Sequence, residues 1–272
     1  MQENKKKLIF GSGVSSFKDV EGLKKMCSVA IDNGIMAFDT APSYHTEEAL
    51  SEALLQVLNE AGKTREQIHI QTKIDPIQMY HGQVEKYFEE KLNSMHLDYV
   101  DALLIHWPIH TSLCRTWEEL KSIKRNGLAR KIGICNLRIS HLRELKGIGV
   151  IPEILQIERH PLNTFMEEVR FCEENNITLQ DYSPLCKMHP LLRDNMLLKE
   201  MSERYGESVG SIILKWHIDT GAVPIFTSKN PGRIAEYSNI DSFQLSNEDI
   251  EKITSLNINH KLYLESLVCA GF

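Results

Sequence analysis

Four residues that can move protons stand at or just after the ends of apolar segments. In "AFDTAPSY" an apolar run ends at Asp39, and Tyr44 follows past a proline turn. "HIQTKID" brings Lys73 and "ALLIHWP" brings His106, each at the end of another apolar run. A buried lysine needs an anionic partner, which Asp39 can supply. These residue types are the parts of an acid–base site in which a phenol is the proton donor.

The expected chemistry follows from the charges. An ammonium group beside a tyrosine favours the phenolate, so we expect Lys73 to lower the pKa of Tyr44 from about 10. Such a phenol can donate a proton to a carbonyl oxygen and take it back in the reverse reaction. His106 can hydrogen-bond the same oxygen and orient it. Taken singly, Asp39 with Lys73 is also a structural ion pair and His106 a core residue, but together they predict protonation of a carbonyl group during hydride transfer.

These side chains require a scaffold that brings several strand ends together. Eight short apolar runs alternate with segments of helical periodicity, and this pattern predicts parallel strands covered by helices. The strands are predicted at about residues 8–10, 35–38, 68–74, 99–105, 131–134, 154–157, 177–182 and 222–226. The helices are predicted at about residues 20–33, 46–61, 84–95, 116–125, after 140, 164–175, in a stretch ending near 220, and 247–255.

The alternation favours a closed barrel over an open doubly wound sheet. Eight units are present in 272 residues, and no GxGxxG motif opens the first unit, as an open dinucleotide-binding sheet requires. We therefore predict an α/β fold, a (β/α)8 TIM barrel, as one domain over residues 1–272 with a short C-terminal helix and tail. The active site of such a barrel lies at the C-terminal ends of its strands, where the acid–base residues are placed.

Composition and charge argue against several classes of protein. A hydrophobic fraction of 42% and a net charge of -6 are typical of a globular protein and argue against a surface for nucleic acid or anionic lipid. No apolar stretch is long enough to span a bilayer, and the run after residues 5–7 is too short for a signal peptide. The 6 cysteines show no CxxC spacing, so we expect free thiols, no metal site and a cytoplasmic protein.

The chain resembles the aldo-keto reductase family along nearly its whole length, from "FGSG" to "SNEDIEKI". "FDTAPSYHTEEAL" is similar to the family's segment with the acid and the catalytic tyrosine, "QTKI" to its lysine strand and "DALLIHWP" to its histidine strand. "RKIGICN", "LQIERHP" and "DYSPL" are similar to its nicotinamide- and pyrophosphate-binding segments, and "NPGRIAEY" to its adenine-end helix. Single motifs are weak signals, but all of them in this order are specific.

The resemblance implies an enzyme that reduces an aldehyde or ketone to the alcohol with NADPH and without a metal, with Tyr44 as the general acid. It assigns the other three acid–base residues to catalysis as well. The cofactor-binding residues that it implies are Ser12, Asn136, Gln156, Tyr182, Ser183, Leu185, Ser228, Arg233 and Glu236. Asn136 and Gln156 would hold the carboxamide, and Tyr182 would stack on the nicotinamide ring.

Three departures from the family pattern bear on the coenzyme. Cys135 stands where the family has a serine before Asn136, and a thiol is a weaker hydrogen-bond donor. Thr227 occupies the position of a lysine that contacts the 2′-phosphate of NADPH, and Tyr237 replaces an asparagine at the adenine. Arg233 is retained for the phosphate. We therefore expect NADPH to be preferred, with measurable use of NADH.

The substrate pocket is expected to be open and wet. The resemblance places Trp107 and Asp75 at the pocket, and Asp75 stands where family members often have a tryptophan. Only a short stretch separates His106 from the helix predicted at Thr116, whereas steroid-binding relatives carry long loops there. We therefore expect the substrate to be a small or polar carbonyl compound. We also expect the protein to be a monomer.

Two other functions remain open at this point. The first is a non-catalytic module on the same fold that senses the nucleotide, as the channel β-subunits in the family do. The second is an aldolase that uses Lys73 as a Schiff base, which requires a lysine that spends time neutral. The sequence offers no extra partner-binding domain, which argues against the sensing module. An Asp39 partner would keep Lys73 charged, which argues against the aldolase, so the reductase is favoured over both.

Overall fold

Eight parallel strands close into a barrel in the computed structural model, which describes residues 8–13 and 20–263. Each strand pairs with the next along the chain, and the last pairs with the first. The strands β1–β8 are Ile9–Gly11, Ala37–Asp39, His69–Ile74, Val100–Ile105, Ala129–Cys135, Ile154–Glu158, Thr178–Tyr182 and Val223–Phe226. The predicted (β/α)8 barrel is confirmed, while the assignment of residues 1–272 to one domain stays a prediction.

Helices cover the outside of the barrel. Within the described residues, α1–α12 are Val20–Asp32, Glu47–Glu60, Pro76–His81, Val84–Ser94, His110–Arg125, Ile139–Gly147, Met166–Glu174, Pro190–Arg193, Met196–Tyr205, Val209–Asp219, Pro231–Ser238 and Asn247–Thr254. The apolar faces of these helices pack on outward-facing strand residues such as Phe38 and Leu103, both buried. None of the described helices is long and apolar enough to cross a membrane.

The predicted helices differ from the structure mainly after β3, β4 and β7. Helix α3 was not predicted, because a single short turn opened by Pro76 leaves little periodic signal. Helix α5 begins at His110 rather than Thr116, because the polar residues of its first turn hide its apolar face. The one helical stretch expected after β7 is divided into α8, α9 and α10. The connection from His106 to α5 is therefore shorter than expected.

The barrel interior is apolar in one cluster and polar beneath the strand ends. The apolar cluster contains Ala102, Leu104, Cys135 and Ile154. Three buried glutamines form the polar group: Gln71 and Gln180 exchange two hydrogen bonds of 2.9 Å, and Gln156 donates to Gln180 at 3.0 Å. Because buried amides must satisfy their donors and acceptors, this group constrains the side chains above it.

A second buried polar network joins β6, β7 and α10. Arg159 donates to Asp181 at 2.8 Å, and His217 Nδ1 lies 2.6 Å from the same carboxylate. All three side chains are fully buried. Burial raises the pKa of Asp181, but the charge of Arg159 and the hydrogen bonds from Arg159 and His217 outweigh it and hold the pKa below its ordinary value. His217 Nε2 also lies 3.1 Å from the backbone oxygen of Pro184, so the network supports the loop after β7.

Candidate active site

An ion pair between the ends of β2 and β3 forms the base of the site. Strand β2 ends at Asp39 and β3 carries Lys73, both buried. Lys73 Nζ lies 2.8 and 2.9 Å from the two Asp39 oxygens, and it also donates to the backbone oxygen of Thr40 at 2.9 Å. The Asp39 carboxylate accepts further hydrogen bonds from Gln71 and Gln156 at 2.7 and 3.2 Å. Protein hydrogen bonds therefore take the place of water around both charges of the ion pair.

Tyr44 stands above this ion pair at the end of the short helical turn Pro42–Tyr44 that follows β2. Its hydroxyl lies 3.4 Å from Lys73 Nζ, and Nζ is 4.9 Å from the centre of its ring. Gly13 lies against the same ring: a Cβ at that residue would be 3.1 Å from a Tyr44 ring carbon. A glycine therefore permits the end of β1 to approach the phenol.

The expected lowering of the Tyr44 pKa is wrong, because the pKa is raised. Burial raises the pKa of Tyr44 to about 12, which outweighs the lowering effect of the Lys73 charge. Burial also lowers the pKa of Lys73, but the Asp39 carboxylate and the Tyr44 phenol outweigh it, so the pKa of Lys73 is raised. Tyr44 is consequently protonated at neutral pH, the form that a general acid requires, and Lys73 is charged.

His106 follows β4 and is buried beside Tyr44. The two rings are perpendicular, with centroids 5.7 Å apart. Asp75, also buried, contacts His106 Nδ1 through Oδ1. Asp75 was assigned to the substrate pocket by resemblance, and the structure shows that its carboxylate is engaged with the imidazole instead of standing alone. Trp107 is half-buried, and its ring centroid is 5.9 Å from that of His106.

Three of the residues assigned to the nicotinamide end lie together at the ends of β5, β6 and β7. Asn136 adopts a positive φ of 62° directly after β5 and donates to the backbone oxygen of His106 at 2.9 Å. The Tyr182 hydroxyl donates to Asn136 Oδ1 at 2.8 Å, which fixes the edge of a half-buried ring. The Gln156 amide is buried and hydrogen-bonded to Asp39. Their roles towards a nucleotide stay predictions.

The remaining residues assigned to the cofactor differ in their surroundings. The Ser12 hydroxyl is buried, donates to the Asp39 backbone oxygen at 3.1 Å and lies 2.8 Å from Thr46 Oγ1, so its assignment rests on the resemblance alone. Ser183, at a positive φ of 50°, and Leu185 are half-buried in the loop after β7. Cys135, at the family's serine position, is buried.

The residues assigned by resemblance to the adenine end lie on α11 or just before it. Asn230 caps this helix, and its side chain accepts from the backbone N–H groups of Gly232 and Arg233 at 2.9 and 3.4 Å. Arg233 is exposed in the first turn, where the partial positive charge of the helix N-terminus adds to that of the guanidinium. Ser228 Oγ accepts from the Asn230 N–H at 3.0 Å. Glu236 accepts hydrogen bonds from Ser208 and, at 3.0 Å, from Ser211.

Glu158, to which no sequence pattern assigns a role, holds the end of the described chain beside the site. Its carboxylate accepts the backbone N–H groups of Leu262 and Tyr263 at 2.6 and 3.0 Å. The Tyr263 ring consequently lies 5.8 Å from the ring of Tyr182. No local pattern announces a carboxylate that binds backbone at a separation of 105 residues.

The geometry supports proton transfer to an oxygen near Tyr44. A phenol, an ammonium group and an imidazole converge at one end of the barrel. The Asp39 carboxylate contacts the ammonium group of Lys73, and the Asp75 carboxylate contacts the imidazole of His106. Among residues 8–13 and 20–263, no group of three or more His, Cys, Asp and Glu side chains is arranged to hold a metal ion. The oxygen of a polarised carbonyl group is the acceptor that this arrangement suits best.

Comparisons with known proteins agree with this geometry. A model of the Aldo/keto reductase family matches residues 7–258. The chain is 34% identical over 254 residues to glyoxal reductase of Bacillus subtilis (strain 168), covering 93% of this chain and 90% of that protein. It is 31% identical over 236 residues to methylglyoxal reductase DkgA of Escherichia coli O157:H7, covering 86% and 84%. The crystal structure of a Bombyx mori aldo-keto reductase in complex with NADP has a TM-score of 0.86 and 29% identity, covering 94% of this chain and 91% of that one.

Proposed function

Because the chain belongs to the aldo/keto reductase family, we infer that it is an NADP-dependent oxidoreductase acting on carbonyl groups, and we propose that Tyr44 is its general acid. One observation carries the assignment of Tyr44. Its hydroxyl lies 3.4 Å from a lysine ammonium that is itself bound to a carboxylate at 2.8 Å. A phenol in contact with a permanent cation can donate its proton and remain stabilised as the phenolate.

The roles of the side chains follow from their positions. NADPH supplies a hydride to the carbonyl carbon when it is bound. Tyr44 donates its proton to the carbonyl oxygen as negative charge develops there, and Lys73 stabilises the resulting phenolate. Asp39 keeps Lys73 charged and fixes its position through two contacts of 2.8 and 2.9 Å. The glutamines beneath Asp39 hold the carboxylate in place.

The residues present fit a nicotinamide nucleotide. At the end of β7, Tyr182 offers a half-buried ring whose hydroxyl donates to Asn136 at 2.8 Å. After β8, Arg233 and the N-terminus of α11 offer positive charge at the surface, as a phosphate group requires. In this proposal, Asn136 binds the carboxamide, Tyr182 stacks on the ring, and Arg233 binds the 2′-phosphate of NADPH.

We propose a small, polar carbonyl compound as the substrate. Two relatives are named for the reduction of glyoxal and methylglyoxal, and here a buried carboxylate, Asp75, lies beside His106. Only residues 107–109 separate His106 from α5, so this loop contributes little apolar wall. We further propose that the protein is cytoplasmic and monomeric.

The decisive assay follows NADPH absorbance with methylglyoxal, glyoxal, simple aldehydes and steroid ketones as substrates. We expect turnover of the small carbonyl compounds and a KM for steroid ketones that is higher by an order of magnitude or more. Tight binding of NADPH without reduction of any carbonyl compound would favour the nucleotide-sensing alternative. Borohydride trapping of a carbonyl compound on Lys73 would favour the aldolase, which the raised pKa of Lys73 argues against.

Arg233→Ala should weaken NADPH binding by about ten- to a hundredfold, because one charge-assisted phosphate contact contributes about 1.5–3 kcal/mol. The Kd for NADH should change by less than about threefold, because NADH lacks the 2′-phosphate. Fluorescence titration of both nucleotides measures the effect. Arg143→Ala, an exposed arginine of α6 paired only weakly with Glu167 at 3.5 Å, is the matched control. Equal losses for NADPH and NADH would contradict the role of Arg233.

A further inference from the structure

Asp75 connects His106 in the candidate site to the start of helix α3. It follows β3 directly, is buried, and contacts His106 Nδ1 through Oδ1. Its backbone N–H donates to the Gln78 side chain at 3.1 Å at the start of α3. Ser43, in the turn that carries Tyr44, contributes to lowering the pKa of the Asp75 carboxyl group. Asp75 is therefore tied to the start of α3 while it contacts the imidazole.

The contact determines which ring nitrogen of His106 carries a proton. Burial raises the pKa of Asp75, but the hydrogen bonds from His106 and Ser43 outweigh it, so the pKa is lowered and the group is a carboxylate at neutral pH. A carboxylate can only accept, so Nδ1 of His106 must be the donor. A neutral imidazole has one N–H, so Nε2 then carries a lone pair. Among the described residues none forms a hydrogen bond with Nε2.

This protonation state conflicts with a simple donor role for His106. A carbonyl oxygen, like Nε2, is an acceptor, so neutral His106 in this tautomer cannot donate to it. Burial lowers the pKa of His106 below its ordinary value, against the opposing effect of Asp75, so the neutral ring dominates at neutral pH. Only the imidazolium donates from both nitrogens, to Asp75 and to a substrate oxygen at once.

We propose that Asp75 is a positioning residue that holds His106 in the tautomer whose Nε2 is an acceptor, so that His106 assists carbonyl reduction only when its ring is protonated. The inference rests on the proposed reduction with Tyr44 as the acid and adds a second proton donor that is present at acid pH alone. Above the pH range in which His106 titrates, Tyr44 is the sole donor to the carbonyl oxygen.

The other ionisable groups around His106 do not produce the same pH dependence. Lys73, on β3, has a raised pKa, and Tyr44, after β2, has a pKa raised to about 12, so neither titrates near neutrality. Asp39, at the end of β2, is bound to Lys73 at 2.8 Å.

Two further groups face Asp75 instead of the imidazole. Burial raises the pKa of Glu47, on α2, although Thr72 and Lys91 oppose it. The pKa of Tyr87, on α4, is raised by burial and by nearby carboxylates. Of these two groups, only Glu47 is a carboxyl group whose pKa is raised, so its effect on the pH profile requires a control.

The test is the pH profile of kcat/KM for 4-nitrobenzaldehyde, which carries no hydroxyl beside its carbonyl group. For the unmodified protein we expect kcat/KM to fall by about tenfold from acid pH to a plateau reached by about pH 8, where Tyr44 is the sole donor, so the slope stays shallower than -1 per pH unit. Asp75→Asn should change less than about twofold over that range and exceed the unmodified protein at about pH 8 by roughly tenfold. With the amide NH2 group of this variant donating to Nδ1, the ring proton is placed on Nε2.

Two controls separate this inference from other outcomes. Glu47→Gln removes the buried carboxylate near Asp75 and should keep the pH dependence of the unmodified protein. If Asp75→Asn also keeps it, or if the unmodified protein shows none, the role of Asp75 is refuted while carbonyl reduction stands. Absence of NADPH-dependent reduction in the unmodified protein, with nucleotide bound, would instead refute the proposed function.

A measurement independent of activity uses ¹⁵N NMR of the His106 ring, identified by its loss in His106→Gln. Near pH 8 the unmodified protein should show a protonated Nδ1 and an unprotonated Nε2, and Asp75→Asn should show the reverse. A neutral ring protonated on Nε2 in the unmodified protein would overturn the inference even if Asp75→Asn failed to fold.

Discussion

Tyr44→Phe should lower kcat for aldehyde reduction by about 100- to 10,000-fold, the range expected when a general acid is lost. The affinity for NADPH should stay within about threefold, because the hydroxyl acts on the carbonyl oxygen in the transition state and not on the bound nucleotide. The Lys73–Asp39 pair, joined by contacts of 2.8 and 2.9 Å, should persist in the variant. Steady-state kinetics with methylglyoxal, together with a fluorescence titration of NADPH, measures both quantities.

Tyr80→Phe provides the matched control, because it removes a phenol hydroxyl from an exposed position on α3. Its kcat should equal that of the unmodified protein. Near-normal turnover in Tyr44→Phe would sink the proposed mechanism, since no other described group in contact with Lys73 Nζ is a phenol. A parallel loss of NADPH affinity would indicate a collapsed site instead of a lost acid.

Arg159→Met should lower the free energy of unfolding by about 3–5 kcal/mol, because it leaves the Asp181 carboxylate buried without its main counter-charge. Arg159 Nη1 lies 2.8 Å from Asp181, and both side chains are fully buried. The guanidinium also donates to the Thr164 backbone oxygen and to Thr220 Oγ1 at 2.8 and 2.9 Å. Urea unfolding at neutral pH measures the loss, and the m-value should be unchanged.

The same substitution at an exposed position sets the scale. Arg143→Met removes a surface pair with Glu167 at 3.5 Å and should cost at most about 1 kcal/mol. The pKa of Asp181 is lowered in the folded protein, so its contribution is present above the unfolded value near 4 and is lost as the pH falls through the folded pKa. The deficit of Arg159→Met should therefore narrow on acidification. Equal losses for the two variants would show that the buried network contributes little.

The barrel and most of its strand ends follow from local patterns along the chain. Apolar runs of strand length alternate with helical periodicity, and both are local properties that a reader of the chain can see. Once a (β/α)8 barrel is inferred, Asp39, Lys73 and His106 must meet, because all strand ends of the barrel converge on one face. The start of a helix is harder to predict where its first turn is polar, as at His110 in α5. A short helix such as α3 gives too little periodicity to be predicted at all.

Electrostatic consequences were not readable from the chain. The effect of Lys73 on Tyr44 could be assigned a direction, but the pKa depends on the balance between that charge and burial. In the folded protein burial dominates and raises the pKa of Tyr44 to about 12. The balance is set by how many neighbours exclude water from the phenol, among them Gly13, where an added Cβ would lie 3.1 Å from a ring carbon.

Contacts between residues far apart in the chain were decided by the tertiary structure alone. Gln156 donates to Asp39 across 117 residues, and Glu158 binds the backbone of Tyr263 across 105. The contact of Asp75 with His106 spans only 31 residues, yet it depends on the register of β3 against β4 and on the side-chain rotamers at both strand ends. Sequence patterns report which face a residue occupies, whereas the partner it finds there depends on strand register, packing and burial, which exist only in the folded chain.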